Sequence, residues 1–180
     1  MSANPKIESK LHHNAHVTTD MAAVRKFYEE IIGFPLVATW CEQTDLFGKV
    51  RTYMHCFFDI GNGESLAFFQ FADEQDQEEF GPELPLSGFR HLAMKVDQET
   101  QDGIRDRLAA AGVTEPQTYI LDHGYCYSLY VFDPANLLIE FTVDHEDADA
   151  INAERKAKAH EELERWLAGD HTPNNTQFHR

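Results

Sequence analysis

The stretch that decides the fold is Leu121-Asp-His-Gly-Tyr-Cys-Tyr-Ser-Leu-Tyr130-Val-Phe-Asp133-Pro134-Ala-Asn-Leu-Leu-Ile-Glu140-Phe-Thr-Val143. Its Asp-Pro pair, followed by Ala and Asn, predicts a turn between two antiparallel strands. The apolar run 137–143 is typical of a strand that is covered on both faces. Glu140 lies inside this run, where an ionised carboxylate is costly unless it is paired or bound to a metal. We therefore expect Glu140 either to bind a cation or to lie at a rim that water reaches.

Composition limits the classes of partner. The formal net charge is −16, from 31 acidic and 15 basic residues, so nucleic acid and anionic membrane surfaces would be repelled. The three cysteines are widely spaced without a CxxC pair, which favours reduced thiols in a cytoplasmic protein. No apolar segment approaches the roughly 20 residues that span a bilayer, so we expect no membrane insertion. A chain of 180 residues is long enough for one ordinary domain.

The first half of the chain reads as one strand, one helix and three further strands. A strand is predicted over 11–19, and Asp20 is placed to cap a helix that ends at Gly33. Three strands are expected to follow, at residues 36–41, 52–60 and 65–71. Gly61-Asn-Gly63 predicts the hairpin turn between the last two. The acidic segment 73–80 is predicted to be a connecting loop.

The same order of elements then begins again. A strand at 89–96 precedes the capping residue Asp97, a helix over 98–111 and the helix stop Gly112. Three more strands are predicted, at residues 117–121, 127–132 and 137–143. Since neither unit can cover its own sheet, the fold class expected is α+β, with two βαβββ modules paired into one metal-binding cup.

The predicted domain organisation follows from this repeat. Residues 10–144 form a single domain with modules 10–72 and 88–144. A C-terminal helix over 145–168 and a polar tail over 169–180 complete the chain. Because the apolar stripe of that helix is sparse, we expect the helix to dock on a second copy of the chain and so to form a homodimer.

The repeat resembles the vicinal oxygen chelate superfamily, which includes glyoxalases, extradiol dioxygenases and antibiotic-resistance proteins. The resemblance covers 11–144. It is carried by His13-Asn-Ala-His-Val-Thr-Thr-Asp20, by Phe89-Arg-His91-Leu-Ala, and by Tyr130-Val-Phe-Asp133-Pro134 with Ile139-Glu140. It implies that a divalent metal is bound by the first-strand histidine of each module and by the last-strand glutamate, which are His13, His91 and Glu140.

Strand alternation agrees with this ligand set. His13 and Ala15 share one face of their strand, as do His91 and Ala93, so both histidines can point to the same side of their sheets. His12 has the opposite parity and is the competing candidate for His13. Two imidazoles and one carboxylate form the triad associated with non-haem Fe(II) oxygenases. A fourth ligand is open, and within strand 65–71 the only candidate is Gln70.

A second resemblance concerns the catalytic residues. The segment from His123 to Glu140 is similar to the extradiol ring-cleavage signature, in which the histidine and the tyrosine line the substrate site. The resemblance implies these roles for His123 and Tyr130, whose structural alternatives are a loop residue and a core aromatic. The segment departs from the signature at Leu121 and Asn136. No histidine lies within 75–90, so the acid-base histidine would have to be His123 or His55.

These observations predict a metal-dependent extradiol-type dioxygenase that binds Fe(II) and cleaves a small aromatic diol with O2. The first alternative is a glyoxalase-like isomerase or lyase that uses Ni, Zn or Mn, and it requires a fourth protein ligand. The second alternative is a metal-free resistance protein that binds a small molecule. The metal triad disfavours the second alternative, because a purely sequestering protein does not need those residues.

Overall fold

The computed structural model describes residues 8–175, which form two compact units with their boundary between Pro85 and Leu86. Each unit contains one four-stranded mixed sheet with its own helices. The predicted α+β class, with two βαβββ modules and a C-terminal helix, is confirmed.

The first unit has the strand order β1-β4-β3-β2, with β1 parallel to β4 and the other neighbours antiparallel. Its elements are β1 (His13–Val17), α1 (Met21–Arg25) continued by a π-helical segment (Lys26–Ile32), β2 (Leu36–Leu46), β3 (Lys49–Gly61), β4 (Glu64–Phe71) and α2 (Glu74–Phe80). The Asp20 side chain accepts a hydrogen bond from the backbone N–H of Ala23 and so caps α1 as predicted. Gly33, at φ = 96°, ends the π-helical segment in the left-handed conformation that glycine adopts at low cost.

The prediction of a loop over 73–80 is wrong, because most of this segment forms α2. Asp73 caps the helix by accepting hydrogen bonds from the N–H groups of Gln75 and Asp76. The buried carboxylate of Asp76 lies 3.1 Å from the guanidinium of Arg51, which is also buried. A distant arginine therefore compensates the acidic charge that favoured a solvated loop in the sequence.

The second unit repeats the topology, with the strand order β5-β8-β7-β6 and β5 parallel to β8. Its elements are β5 (His91–Lys95), α3 (Gln98–Ala110), β6 (Thr118–Asp122), β7 (Cys126–Phe132), β8 (Leu138–Asp144) and α4 (Ala148–Leu167). Asp97 caps α3 through the N–H of Thr100, as predicted. Within residues 8–175, none of the helices combines the length and the apolar character that crossing a bilayer requires.

Each sheet buries one face against its helices. In the first unit the aromatic ring of Tyr28 packs on Phe58 and Phe68. In the second unit the helix residues Ile104 and Leu108 are buried, as are Leu129 and other alternate residues of β7 and β8. Because successive strand residues point to opposite faces, the candidate ligands lie together on the other face of each sheet.

Candidate metal centre

His91 and Glu140 form a close pair in the second unit. His91 is the first residue of β5, and its neighbour on the same face, Ala93, is aligned with Glu140 of β8. The Nε2 atom of His91 lies 2.9 Å from Oε2 of Glu140. The Glu140 side chain is only 8% exposed, so it does not lie at a solvated rim. The structure therefore brings together two of the three ligands predicted from the sequence.

Ser128 fixes the orientation of this carboxylate. Its hydroxyl donates a 2.6 Å hydrogen bond to Oε1 of Glu140, and the serine is fully buried. A hydrogen bond to a charged acceptor is shorter and stronger than a neutral one. With Oε1 held in this way, Oε2 remains directed towards His91. Ser128 was not singled out from the sequence, and only the pairing of β7 with β8 shows its position.

Tyr130 and His123 lie next to the pair. Tyr130 is aligned with Glu140 across β7 and β8, and its hydroxyl lies 2.9 Å from Nε2 of His123. Burial, together with the neighbouring Glu140 carboxylate, raises the pKa of Tyr130 well above its ordinary value. The phenol therefore keeps its proton and can donate it to a hydrogen bond. The ring of Tyr119 stacks on Tyr130 at 5.0 Å and holds it in place.

A cleft of about 970 Å³ opens beside these residues within the second unit. Its polar members include the two residues predicted to be catalytic, His123 and Tyr130, and the predicted ligand His91. Apolar and aromatic side chains form much of the remaining wall, among them Phe89, Pro116, Tyr119, Ile120 and Leu121. A mostly apolar cleft with a few convergent polar groups is the usual form of a small-molecule site.

His13 lies in the first unit as the first residue of β1, the position that His91 has in β5. Its ring contacts Phe57 edge-on, at 5.6 Å between centroids. The Nδ1 atoms of His12 and His13 are 2.7 Å apart, so the Nδ1 of His13 is engaged and its Nε2 is the atom left for a metal. His12 itself precedes the strand.

The register of β4 identifies the repeat equivalent of Glu140. Ala15 is aligned with Ala67 in the first unit, as Ala93 is aligned with Glu140 in the second. The position that carries the carboxylate in β8 is therefore Ala67 in β4. Gln70 is engaged elsewhere, because its side-chain amide accepts a hydrogen bond from the N–H of Met21 and donates one to the carbonyl of Thr19, just before α1.

His55, one of the two acid-base candidates from the sequence, lies on the same face of the first sheet as His13. It lies on β3, and its ring stacks on Phe69 at 3.7 Å and contacts Phe57 at 4.2 Å. Its Nε2 atom is buried and has no hydrogen-bond partner among residues 8–175. Burial lowers the pKa of His55, while the Glu42 carboxylate acts in the opposite direction and His13 acts in the same direction as burial. The sequence showed that His55 and Phe57 share one face of their strand, but it did not show which face of the sheet this is.

The donor set fits a divalent metal by its chemistry. Imidazole nitrogen and carboxylate oxygen are ligands for Zn, Mn, Ni and Fe(II). The second unit offers His91 and Glu140, and the first offers histidine nitrogens alone. Among residues 8–175, neither unit contains three histidine, cysteine or acidic side chains that lie close enough together to hold a metal.

Comparison with known families gives one match. The sequence model of the Glyoxalase/Bleomycin resistance protein/Dioxygenase superfamily matches residues 10–141. The comparison with curated proteins gives no match.

Several solved structures share the fold. One is a variant of the fosfomycin resistance protein FosX from Listeria monocytogenes, which was solved in complex with Mn(II) and 1S,2S-dihydroxypropylphosphonic acid. It is 19% identical to this chain, with a TM-score of 0.56, and the match covers 80% of this chain and 99% of the FosX chain. Lactoylglutathione lyase from Agrobacterium tumefaciens is 22% identical with a TM-score of 0.50 and covers 77% of this chain and 96% of its own. At these identities the likeness establishes the fold alone.

Proposed function

The chain belongs to the Glyoxalase/Bleomycin resistance protein/Dioxygenase superfamily, and we propose that it is a metal-dependent enzyme with lyase or isomerase chemistry on a small molecule that carries two neighbouring oxygen atoms. The proposed metal ligands are His13, His91 and Glu140, the set that the family resemblance implies. The observation that carries the proposal is the buried Glu140, which contacts His91 and lies beside the Tyr130–His123 pair.

The case for a metal rests on the environment of Glu140. A carboxylate that is almost fully buried needs compensation, which it receives here from one serine hydroxyl and from the side chains of His91 and Tyr130. None of these groups carries a fixed positive charge. A divalent cation would supply that charge, and for this reason a metal-free binding protein is disfavoured.

The chemistry proposed for the chain's own residues follows from the cleft. A bound divalent metal would act as a Lewis acid on substrate oxygen. The Tyr130 hydroxyl, which stays protonated, would donate a hydrogen bond to an oxygen of the substrate. His123 would hold and orient that hydroxyl by donating its Nε2–H to the phenol oxygen, and it would supply a proton through this contact as the substrate rearranges. The apolar wall would exclude water from the same space.

The comparisons favour this chemistry over the dioxygenase predicted from the sequence. One structural relative is by its name a lyase, and another was solved with Mn(II) and a small vicinal diol. Neither name refers to O2. The proposed metals are therefore Mn, Ni or Zn, and Fe(II) belongs to the second candidate.

That second candidate is the extradiol-type dioxygenase acting on a small aromatic diol with O2. Ala67 favours this candidate. It stands in the first unit where Glu140 stands in the second, and alanine cannot bind a metal, so the predicted ligands remain a triad with open positions. The aromatic members of the cleft also suit a flat ring. This candidate requires that turnover consume O2.

An oxygen electrode separates the two candidates. The protein would be purified anaerobically, loaded in turn with Mn, Ni, Zn and Fe(II), and screened against 2-hydroxycarbonyl compounds, vicinal diols and catechols. The proposal expects turnover without oxygen uptake and with little benefit from Fe(II). A dioxygenase places both oxygen atoms of O2 in the product. Turnover that consumes about one O2 per substrate molecule would therefore refute the proposed lyase or isomerase and support the dioxygenase.

Matched variants test the roles of the residues. Tyr130→Phe should lower kcat and leave the metal content unchanged, because the ring remains while the hydroxyl is lost. Tyr127→Phe is the control, since Tyr127 lies on the same strand with the opposite parity. Equal activity of the two variants would remove Tyr130 from the mechanism.

A further inference from the structure

The turn between β6 and β7 carries His123 and closes on itself. The backbone N–H of His123 donates a hydrogen bond to the carbonyl of Cys126 at 2.9 Å. The N–H of Gly124, at φ = 80°, donates one to the carboxylate of Asp122 at 2.8 Å. These two bonds fix the shape of the turn, whereas its position over the cleft depends on what else holds it.

His145, in the connection between β8 and α4, holds both ends of this turn. Its Nε2 atom lies 3.2 Å from Oδ1 of Asp122, and its backbone N–H donates to the carbonyl of Tyr125 at 3.0 Å. An ionised carboxylate only accepts hydrogen bonds, so the Nε2 atom of His145 carries the hydrogen. One residue outside the turn therefore binds it on each side of His123.

A further contact reaches the turn from the segment that follows α4. The side-chain amide of Asn175 donates a 3.1 Å hydrogen bond to the carbonyl of His123. The residues before Asn175 are fastened to the end of α4, because Arg165 donates to the carbonyls of Asp170 and Thr172. The connection before α4 and the segment after it therefore meet on the same turn.

The turn sets the contact between His123 and Tyr130. The Nε2 atom of His123 lies 2.9 Å from the Tyr130 hydroxyl, and a separation of about 3.6 Å no longer makes a hydrogen bond. A displacement of the turn by less than about 1 Å is therefore enough to break the contact. Tyr130 lies on β7, which is paired on both sides, so the position of the turn is the part that needs support.

We propose that His145 is a positioning residue for His123. Through Asp122 and Tyr125 it fixes the turn, and it thereby keeps the imidazole of His123 at the phenol of the cleft. This inference rests on the proposed function, in which that imidazole supplies a proton, and it adds a residue outside the cleft to the site. The side chains of His145 and Asp122 are 41% and 29% exposed, so their contact contributes little to the stability of the fold and its effect is expected in kcat.

The test uses the full-length, metal-loaded protein and the compound that it turns over fastest among 2-hydroxycarbonyl compounds, vicinal diols and catechols. His145→Leu removes the Nε2 donor and should lower kcat about two- to tenfold, the factor that one hydrogen bond contributes. KM and metal content should stay unchanged, because the ligands and the cleft wall remain. His145→Gln keeps an N–H at a similar reach and should restore most of kcat. His160→Leu, which removes an exposed histidine of α4, is the matched control and should match the wild type.

A double-mutant cycle separates positioning from a general effect on the fold. In the background His123→Ala no imidazole is left to position, so His145→Leu should cause no further loss of kcat. Should His123→Ala prove inactive, the comparison of His145→Leu with His145→Gln decides alone.

The opposing results are distinct. An unchanged kcat in His145→Leu, an equal loss in the His123→Ala background, or no recovery in His145→Gln would overturn the inference and leave the proposed function standing. If the wild type turns over none of these compounds with Mn, Ni, Zn or Fe(II), the inference and the proposed function are overturned together.

Discussion

Ser128→Ala isolates the contribution of a single buried hydroxyl to the proposed metal centre. The variant removes the 2.6 Å hydrogen bond to Oε1 of Glu140 and changes no ligand. A hydrogen bond to a charged group contributes about 1.5–3 kcal/mol, and the free energy of unfolding should fall by this amount. The freed carboxylate can rotate away from His91, so we expect Zn(II) affinity to fall about 10–100-fold, the range found for residues that orient a ligand.

The assays are urea denaturation of the metal-free protein and chelator competition with Zn(II). Thr142→Val is the control, because Thr142 is aligned with Ser128 on β8. Its buried hydroxyl has no hydrogen-bond partner within the described residues. The control should keep both stability and affinity. If Ser128→Ala loses stability but binds Zn(II) as tightly as the wild type, the hydroxyl does not orient a ligand, and the assignment of Glu140 to the metal centre loses its support.

Three further predictions concern the rest of the chain. Asp76→Ala should lower the free energy of unfolding in urea by about 3–5 kcal/mol, because it removes the buried carboxylate that pairs with the buried guanidinium of Arg51 and leaves only the exposed Glu79 as its acidic partner. Glu79→Gln, at that exposed contact, should cost less than about 1 kcal/mol. Asn175→Ala removes a 3.1 Å hydrogen bond to the backbone carbonyl of His123 in the cleft, and it should lower kcat about two- to tenfold while the metal content stays unchanged. An unaltered kcat would deny that this contact positions the histidine. Finally, the exposed apolar side chains near the end of α4 lead us to expect a homodimer. Light scattering should give twice the chain mass for the full-length protein and a shift towards the mass of one truncated chain after removal of the residues beyond Asp144. A full-length monomer at micromolar concentration would contradict this.

The sequence predicted the features that depend on neighbouring residues. Asp20 and Asp97 cap their helices, and Gly33 ends one, because each of these effects acts within a few residues. The repeat of such local signals was enough to predict two modules of the same topology. His91 and Glu140 could be paired for a related reason, since each has a fixed place in the repeat.

Features that depend on distant pairings could not be predicted in this way. Helix α2 requires Arg51, which lies 25 residues before its partner Asp76. The alignment of Ala67 with Ala15 depends on the register of two parallel strands that are far apart in the sequence. Without that register, Gln70 was the candidate for a fourth ligand.

The divergence of the two modules bears directly on the choice between reaction classes. If the count of ligands is taken from the repeat alone, Ala67 leaves a triad, and a triad favours O2 chemistry. The lyase or isomerase needs a fourth protein ligand, and Gln70 is not free to be one, because its amide bonds to the backbone before α1. The two reaction classes therefore differ, in this chain, by the number of protein ligands at the proposed metal. X-ray absorption of the metal-loaded protein counts these ligands without any substrate: three would agree with the dioxygenase, and four with the lyase or isomerase.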